Sequence, residues 1–194
     1  MSPVTHYLLG WLVANADGFR RRERAAITLA GVAPDVDGLG IIPELLTRHS
    51  AHPLNWFSDY HHVWGHNLAF GVFIAGISLL VAANKLKTTL FVLLSFHLHL
   101  LCDVLGARGP DGEQWPISYL APFSQSWQWS WNHQWALNAW PNFLVTGFAL
   151  VATFYLAWKS GYSPVEMFSQ KSDRMFVDAL RRRCGSGKAM STGV

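Results

Sequence analysis

The stretch "SFHLHLLCDVLG", residues 95–106, decides the fold because it places two histidines and an aspartate in an otherwise apolar run. The five residues before it, "LFVLL", are all apolar, and together the two segments predict a membrane-embedded helix. An ionisable group at the centre of a bilayer is costly in free energy and usually has a function. His97, His99 and Asp103 therefore call for a polar environment within the helical bundle or near its edge.

The composition is that of a membrane protein with a single domain. The chain has 194 residues, of which 51% are hydrophobic and 14% are charged, against about 25% charged residues in soluble proteins. Basic residues flank the apolar runs, which argues against nucleic-acid binding and for a lipid bilayer as partner. Cys102 and Cys184 are far apart and form neither a metal motif nor a disulfide framework.

Apolar segments of membrane-spanning length dominate the first 160 residues. Residues 67–84, 88–105 and 139–158 each approach the length that crosses the hydrocarbon core. Two earlier segments, 3–18 and 25–33, are shorter and can be tilted, half-inserted or packed inside the bundle. We therefore expect an all-α polytopic bundle of about four or five membrane-embedded helices.

Three further segments complete the expected organisation. The bundle occupies residues 1–160 and includes a Trp-rich loop at 106–139, which is best interpreted as an aromatic belt at the membrane interface. The sequence "SPVE" at 163–166 has the pattern of a capping box, and it predicts a basic amphipathic helix over 161–184 on the membrane surface. Residues 185–194 are expected to be disordered.

The basic residues predict a membrane topology. Five alternating helices would bring thirteen of the 15 basic residues to one side: those at 20–24, those at 85–87 and all those from Lys159 onward. Arg48 and Arg108 fall on the other side. The positive-inside rule then places the basic turns and tail in the cytoplasm of a prokaryotic inner membrane.

Histidines and aspartates fall toward the opposite, non-basic end of the predicted bundle. His99 and Asp103 are four residues apart, so they lie about 40° apart on one helical face. They can bind one ion together, or Asp103 can orient His99. His97 is two residues earlier and points roughly the opposite way, so we expect it to make an ordinary helix contact.

Three other segments bring candidate ligands to the same end. The sequence "PDVD" at 34–37 supplies Asp35 and Asp37 directly after a helix, although helix termination with solvated carboxylates also explains it. The tract "HHVWGH" at 61–66 supplies three histidines, of which either His61 or His62 can join His66. His6 lies near the start of the first helix.

This set of donors indicates a particular class of metal. Imidazole and carboxylate suit zinc, with manganese or iron also tolerated, and the absence of thiolates argues against a structural zinc cage. About seven candidate ligands exceed the needs of one tetrahedral site, so we expect one or two divalent ions. Such ions activate water and bind a phosphoryl or acyl oxygen.

The order of these motifs resembles that of the bacterial membrane-bound metal-dependent hydrolases, and distantly that of zinc-dependent phospholipase C and P1-type nucleases. The similarity runs from near the start of the chain through "GARGPDGEQWPISYLAPFS". His62 and Asn67 stand where that pattern usually has arginine and serine. The resemblance implies these metal ligands: His6, Asp35, Asp37, His61, His66, His99 and Asp103.

Asp37, Arg108 and Glu113 are the candidate catalytic residues. Arg108 can stabilise an anionic oxygen and Glu113 can act as a base, although a simple turn explains "RGPDGE" as well. The expected function is hydrolysis of a phosphoester or lipid-like ester, with an amphiphilic small molecule as substrate. The alternative is a non-enzymatic membrane protein that binds or transports metal, for which a continuous polar path through the bundle would be expected.

Overall fold

All regular structure in residues 1–109 and 111–185, which the computed structural model describes, is helical. The prediction of an all-α fold is therefore confirmed for these residues, and the expected disorder lies, apart from Gly185, outside them. The elements in chain order are α1 (Pro3–Ala14), α2 (Arg21–Ala30), a 3-10 segment (Ala33–Gly40), α3 (Ile41–Thr47), α4 (Trp56–Tyr60), α5 (Leu68–Val81), α6 (Lys85–Gly106), α7 (Trp140–Ser160), a 3-10 turn (Pro164–Met167) and α8 (Gln170–Cys184).

Capping residues explain where the helices begin and end. Ser2 accepts a hydrogen bond from the Thr5 backbone N–H and is followed by proline at the first position of α1. Asn67 caps α5 in the same way, so the departure from serine at this position keeps the cap. Gly161 ends α7 with a left-handed φ of 81°, a conformation that costs glycine little.

Two helices, α6 and α7, are long and apolar enough to cross a bilayer, with 22 and 21 residues. A third candidate arises if α2 and residues 33–47, which are bent by 46°, count as one broken span. The predicted span at 67–84 is shorter than expected, because α5 has only 14 residues between its Asn67 cap and the extended backbone at Ala82. The structure thus gives two or three candidate spans, and the count of four or five is not confirmed.

The two short helices at the start of the chain pack inside the bundle. Trp11, Ala14 and Ile27 are completely buried, and the last two form an apolar cluster with Phe19 and Val92. The helices α1 and α2 approach closely at Gly10, where an added Cβ would lie 2.8 Å from the Thr28 carbonyl oxygen. Because neighbouring helices cover much of α1 and α2, these two helices can be shorter than a helix that crosses the bilayer in contact with lipid.

Polar contacts gather the three basic regions at one end of the bundle, as the alternation of helices predicted. Lys87 lies 2.5 Å from Asp17, across from the end of α1. Glu23 accepts two backbone N–H groups of the α5–α6 turn at 3.0 Å. Arg24 donates two hydrogen bonds, of 2.7 and 2.8 Å, to Glu166 from the segment before α8. We call this region the basic end.

The tail does not form the single helix that "SPVE" predicted. Glu166 pairs with Arg24 instead of closing a capping box, and Ser163 donates its hydroxyl to Asp173 at 2.6 Å. The segment therefore makes one 3-10 turn, Pro164–Met167, and α8 starts afterwards with Ser169 as its own N-cap. The basic helix itself is present, but it starts at Gln170, nine residues later than expected.

We predict that Arg24→Met lowers the free energy of unfolding by about 3 kcal/mol, because it leaves the buried Glu166 carboxylate without its partner. The measurement is thermal and denaturant unfolding of the detergent-purified protein. Arg22→Met is the matched control, since Arg22 is exposed on the same helix. Equal stability of the two variants would show that the buried pair contributes nothing.

Candidate metal centre

The polar residues of the opposite end come from four segments of the chain. His6 lies in the second turn of α1, and the aspartates of "PDVD" lie in the 3-10 segment Ala33–Gly40. The histidine tract lies in the connection between α4 and α5, and His99 and Asp103 lie near the end of α6. Since α6 starts at Lys85 in the basic end, His99 lies about 21 Å along the helix axis from that end.

Two overlapping groups of side chains bring their ligand atoms within 4.8 Å of one another, and Asp103 belongs to both. Its Oδ1 lies 3.1 Å from His6 Nε2, and its Oδ2 lies 3.0 Å from His99 Nε2 and 3.4 Å from His66 Nε2. The first group is His6, Asp35, His99 and Asp103, and the second group is His62, His66 and Asp103. Five of these six residues are among the ligands that the resemblance implies, and the sixth is His62.

Three of the histidines are oriented through one ring nitrogen, which leaves the other for the site. In each case Nδ1–H donates to a fixed oxygen and Nε2 points toward Asp103. This arrangement fixes the tautomer and is typical of metal-ligating histidines. The acceptors are the Trp115 carbonyl for His62 (3.3 Å), the Asp37 carboxylate for His66 (3.0 Å) and the Gly31 carbonyl for His99 (2.8 Å).

Asp35 and His6 each carry a buried polar atom without a hydrogen-bond partner among the described residues. These atoms are Oδ2 of Asp35 and Nδ1 of His6. The Oδ1 atom of Asp35 lies 3.9 Å from His99 Nε2, so its carboxylate faces the first group. Asp103, which is 2% exposed, also contacts the Met1 amino group. The unpartnered oxygen of Asp35, beside the buried charge of Asp103, suits a cation.

The structure places His62, and not His61, in the second group. His62 has a left-handed backbone with φ of 66°, which is uncommon for a residue other than glycine and occurs often at functional sites. His61 instead donates Nδ1–H to Asp37 at 2.9 Å and stacks on Phe57. Of the two alternatives that the sequence left open, His62 is the one that lies in this group.

Asp37, another predicted ligand, belongs to neither group. Its carboxylate accepts hydrogen bonds from His61, from His66 Nδ1 and from the Gly65 backbone N–H, at 2.9 to 3.0 Å. In a 3-10 turn, residues two apart point in different directions, so Asp35 and Asp37 cannot both face the same ion. Asp37 therefore positions histidines instead of contacting the centre directly.

The electrostatics of the second group favour one protonated and one neutral histidine. Burial lowers the pKa of His66, but hydrogen bonds to Asp103 and Asp37 outweigh it and raise this pKa to about 9. Burial and the neighbouring His66 lower the pKa of His62 to about 3. His66 holds its proton between two carboxylates. The same carboxylates would attract a metal cation, which would displace that proton.

His97 and Arg108 lie outside both groups. His97 donates Nδ1–H to the Leu93 carbonyl at 2.7 Å, and its Nε2 accepts from the Tyr119 hydroxyl at 2.8 Å, as its helical phase predicted. Arg108 donates to the Asn132 carbonyl at 2.9 Å and stabilises the Trp-rich loop. Its guanidinium does not line the cavity beside the second group, and its catalytic role stays a prediction.

A cavity of about 1290 Å³ opens beside the second group. His61 and His62 lie at its inner end, and Glu113, the third candidate catalytic residue, is exposed on its lining. Trp115, whose carbonyl orients His62, also lines it. The second group is therefore the part of the centre that a molecule in this cavity would approach.

The chain matches one protein family. A family model described as YdjM inner membrane protein matches residues 1–170. This match covers most of the 194 residues, so the chain belongs to that bacterial inner membrane protein family. Searches of curated proteins and of solved structures found no match.

We predict that Gly65→Ala lowers zinc affinity roughly tenfold or more without touching a ligand. An added Cβ would overlap the Pro34 carbonyl group and push the Gly65 N–H away from Asp37, which positions His66. The affinity is measured by competition with a chromogenic chelator. Gly76→Ala, where an added Cβ meets open space, is the control and keeps the affinity of the original protein. Equal affinity in both variants would contradict the positioning role.

Proposed function

We propose that this member of the YdjM inner membrane protein family is a metal-dependent hydrolase that acts on a phosphoester or lipid-like ester. The six residues of the two groups would hold two divalent ions, with zinc the first choice. The observation that carries the proposal is the orientation of His62, His66 and His99, each fixed through Nδ1 with Nε2 directed at the buried Asp103 carboxylate.

The donor set fits divalent ions by its chemistry. It combines imidazole nitrogens and carboxylate oxygens, which zinc, manganese and iron accept. Cys102 is buried in α6 and belongs to neither group, so no thiolate competes for the site among the described residues. Asp35 and Asp103 supply fewer negative charges than two divalent ions bring. The filled centre would therefore attract a phosphoryl or carbonyl oxygen.

The number of protein donors differs between the two groups. The first group offers four residues, which satisfy a tetrahedral ion, whereas the second offers three. Three protein ligands are typical of catalytic zinc sites, which keep one position for water or substrate. When bound there, a divalent ion would lower the pKa of water and polarise the ester oxygen. The second group also adjoins the cavity.

His61 is suited to move protons in this reaction. It lines the cavity, and its Nδ1–H donates to Asp37 at 2.9 Å, which leaves Nε2 for a molecule in the cavity. A carboxylate that orients a histidine in this way fixes its tautomer. We therefore assign His61 as general acid or base, and Asp37 as the residue that positions both His61 and His66.

Metal analysis and a substrate screen test this function together. We expect roughly two ions per chain in the detergent-purified protein, and hydrolysis of bis(4-nitrophenyl) phosphate or of a short-chain lipid ester. His99→Ala should lose both properties, and Asp37→Asn should lose roughly 10- to 100-fold in metal affinity or activity. His97→Ala, on the same helix but outside both groups, should keep both.

The outcomes separate the two candidate functions. Metal retained at its full amount in His99→Ala would refute the ligand set. Metal lost by His99→Ala, with no hydrolysis of phosphodiester, phosphomonoester or carboxylic ester by the original protein, would refute the hydrolase and leave a metal-binding or transport protein.

The sidedness of the membrane gives a further prediction. The positive-inside rule supports a cytoplasmic basic end, with α1, α2, α5, α6 and α7 all membrane-embedded and the metal centre toward the periplasm. Cys184 is exposed in the tail and Cys102 is buried. In intact cells, an impermeant thiol reagent should leave Cys184 unlabelled in a Cys102→Ala background. It should label Asp111→Cys once Cys184 is replaced by serine. The reverse pattern would place the chemistry in the cytoplasm.

A further inference from the structure

We propose that the cavity beside the metal centre binds a membrane lipid whose polar head carries a positively charged amine. This inference rests on the proposed function for the place of the reacting ester, and it names the class of substrate. Three properties of the cavity lining support it: the sign of its charge, its aromatic walls and its opening along α5.

The charge of the lining selects against an anionic head group. Its acidic residues are Glu44, Asp59, Asp111 and Glu113, and the last three are exposed. No lysine or arginine lines the cavity in the part of the chain that the structure describes. A site for an anion alone would carry basic side chains, whereas this lining attracts a cation into the space outside the metal centre.

Aromatic side chains lie among these carboxylates. Phe57 and Trp115 line the inner part of the cavity, with ring centres 5.9 Å apart and planes at 78°. Tyr60 and Trp64 line the outer part, and Trp64 is 67% exposed. Ammonium groups bind favourably over aromatic faces, and most strongly over tryptophan. Exposed aromatic rings beside carboxylates therefore suit an amine that is partly removed from water.

The cavity also continues along the outer face of α5. Asn67, Phe70 and Phe73 line it in succession, about one helical turn apart. Phe73 is 60% exposed, and the neighbouring Val72 on this apolar helix is exposed to the same extent. In a membrane this face meets acyl chains, so a lipid could enter sideways, with its chain on Phe70 and Phe73 and its head among the carboxylates.

The two ends of such a lipid head would lie in different parts of the cavity. The inner end of the cavity, at His61 and His62, adjoins the centre that would take an ester oxygen. The acidic and aromatic outer part would take the amine. A zwitterionic head with a phosphoester and an amine on a short linker matches this order, whereas a purely anionic head offers no cation to Asp111 and Glu113.

Lipid retention measured by native mass spectrometry tests the inference without requiring hydrolysis. The full chain is purified in a neutral maltoside detergent, stripped of metal with a chelator, and mixed with equal amounts of phosphatidylethanolamine and phosphatidylglycerol of identical acyl chains. We expect the amine-headed lipid to be retained roughly fivefold over the anionic lipid, the size of effect expected from a few exposed charge and cation–π contacts.

The double variant Asp111→Asn, Glu113→Gln should bring this ratio close to one, because it removes two of the carboxylates. Asp178→Asn, an exposed acidic residue on α8 outside the cavity, is the matched control and should keep the preference. Equal retention of the two lipids by the original protein would overturn the inference, as would preference for the anionic lipid or a preference that the double variant keeps.

Failure of this inference is distinguishable from failure of the proposed function. A clear amine preference in a protein that hydrolyses no ester would support the lipid site and refute the hydrolase. Hydrolysis of phosphatidylglycerol at least as fast as phosphatidylethanolamine, with no preference in retention, would keep the hydrolase and overturn the lipid class.

Discussion

The buried carboxylate of Asp103 is the interaction on which the rest of this structure depends. It is 2% exposed and lies within 4.0 Å of a nitrogen on each of His6, His62, His66 and His99. A carboxylate cannot be buried in an apolar bundle without such partners, because the loss of its hydration is too costly. It therefore draws α1, the histidine tract and α6 to one point. The oxygens that orient these histidines serve the same purpose, because they keep a nitrogen of each ring directed at Asp103.

The charged groups of the bundle lie at its two ends, because a buried charge needs partners to offset its lost hydration. Arg24 and Glu166 pair at the basic end, where the first turn, the α5–α6 turn and the segment before α8 meet. The titratable residues of the metal centre lie at the opposite end of α6. Between the two ends α6 carries only uncharged side chains apart from His97, and its polar ones are Thr88, Thr89 and Ser95. The bundle therefore places its charged groups at two ends that can lie near the membrane interfaces, where they cost less free energy than at the bilayer centre.

The sequence predicted those parts of the site that depend on regular helical geometry. Helical phase separated His99 and Asp103 from His97, and the spacing of charges predicted a common basic end. The errors fall where the chain leaves regular structure. His62 faces the centre because of its left-handed backbone, and Asp37 turns away because the loop after α2 is a 3-10 segment. Neither conformation has a reliable signal in residue type alone. The "SPVE" pattern failed because Glu166 had a stronger partner, Arg24, 142 positions away.

The site contains two separate sets of carboxylates, one beside the histidines and one on the exposed lining of the cavity. Asp35 and Asp103 face the histidines of the two groups, whereas Asp111 and Glu113 line the cavity and are exposed. A filled centre would be positive and the exposed carboxylates negative, and the aromatic rings of Phe57 and Trp115 line the same cavity. A molecule that is negative at its reacting group and positive at its end would be aligned by this field before any specific contact forms. Substrate orientation would then come from the arrangement of charge, and Trp115 would link the two parts, since its carbonyl orients His62 while its ring lines the cavity.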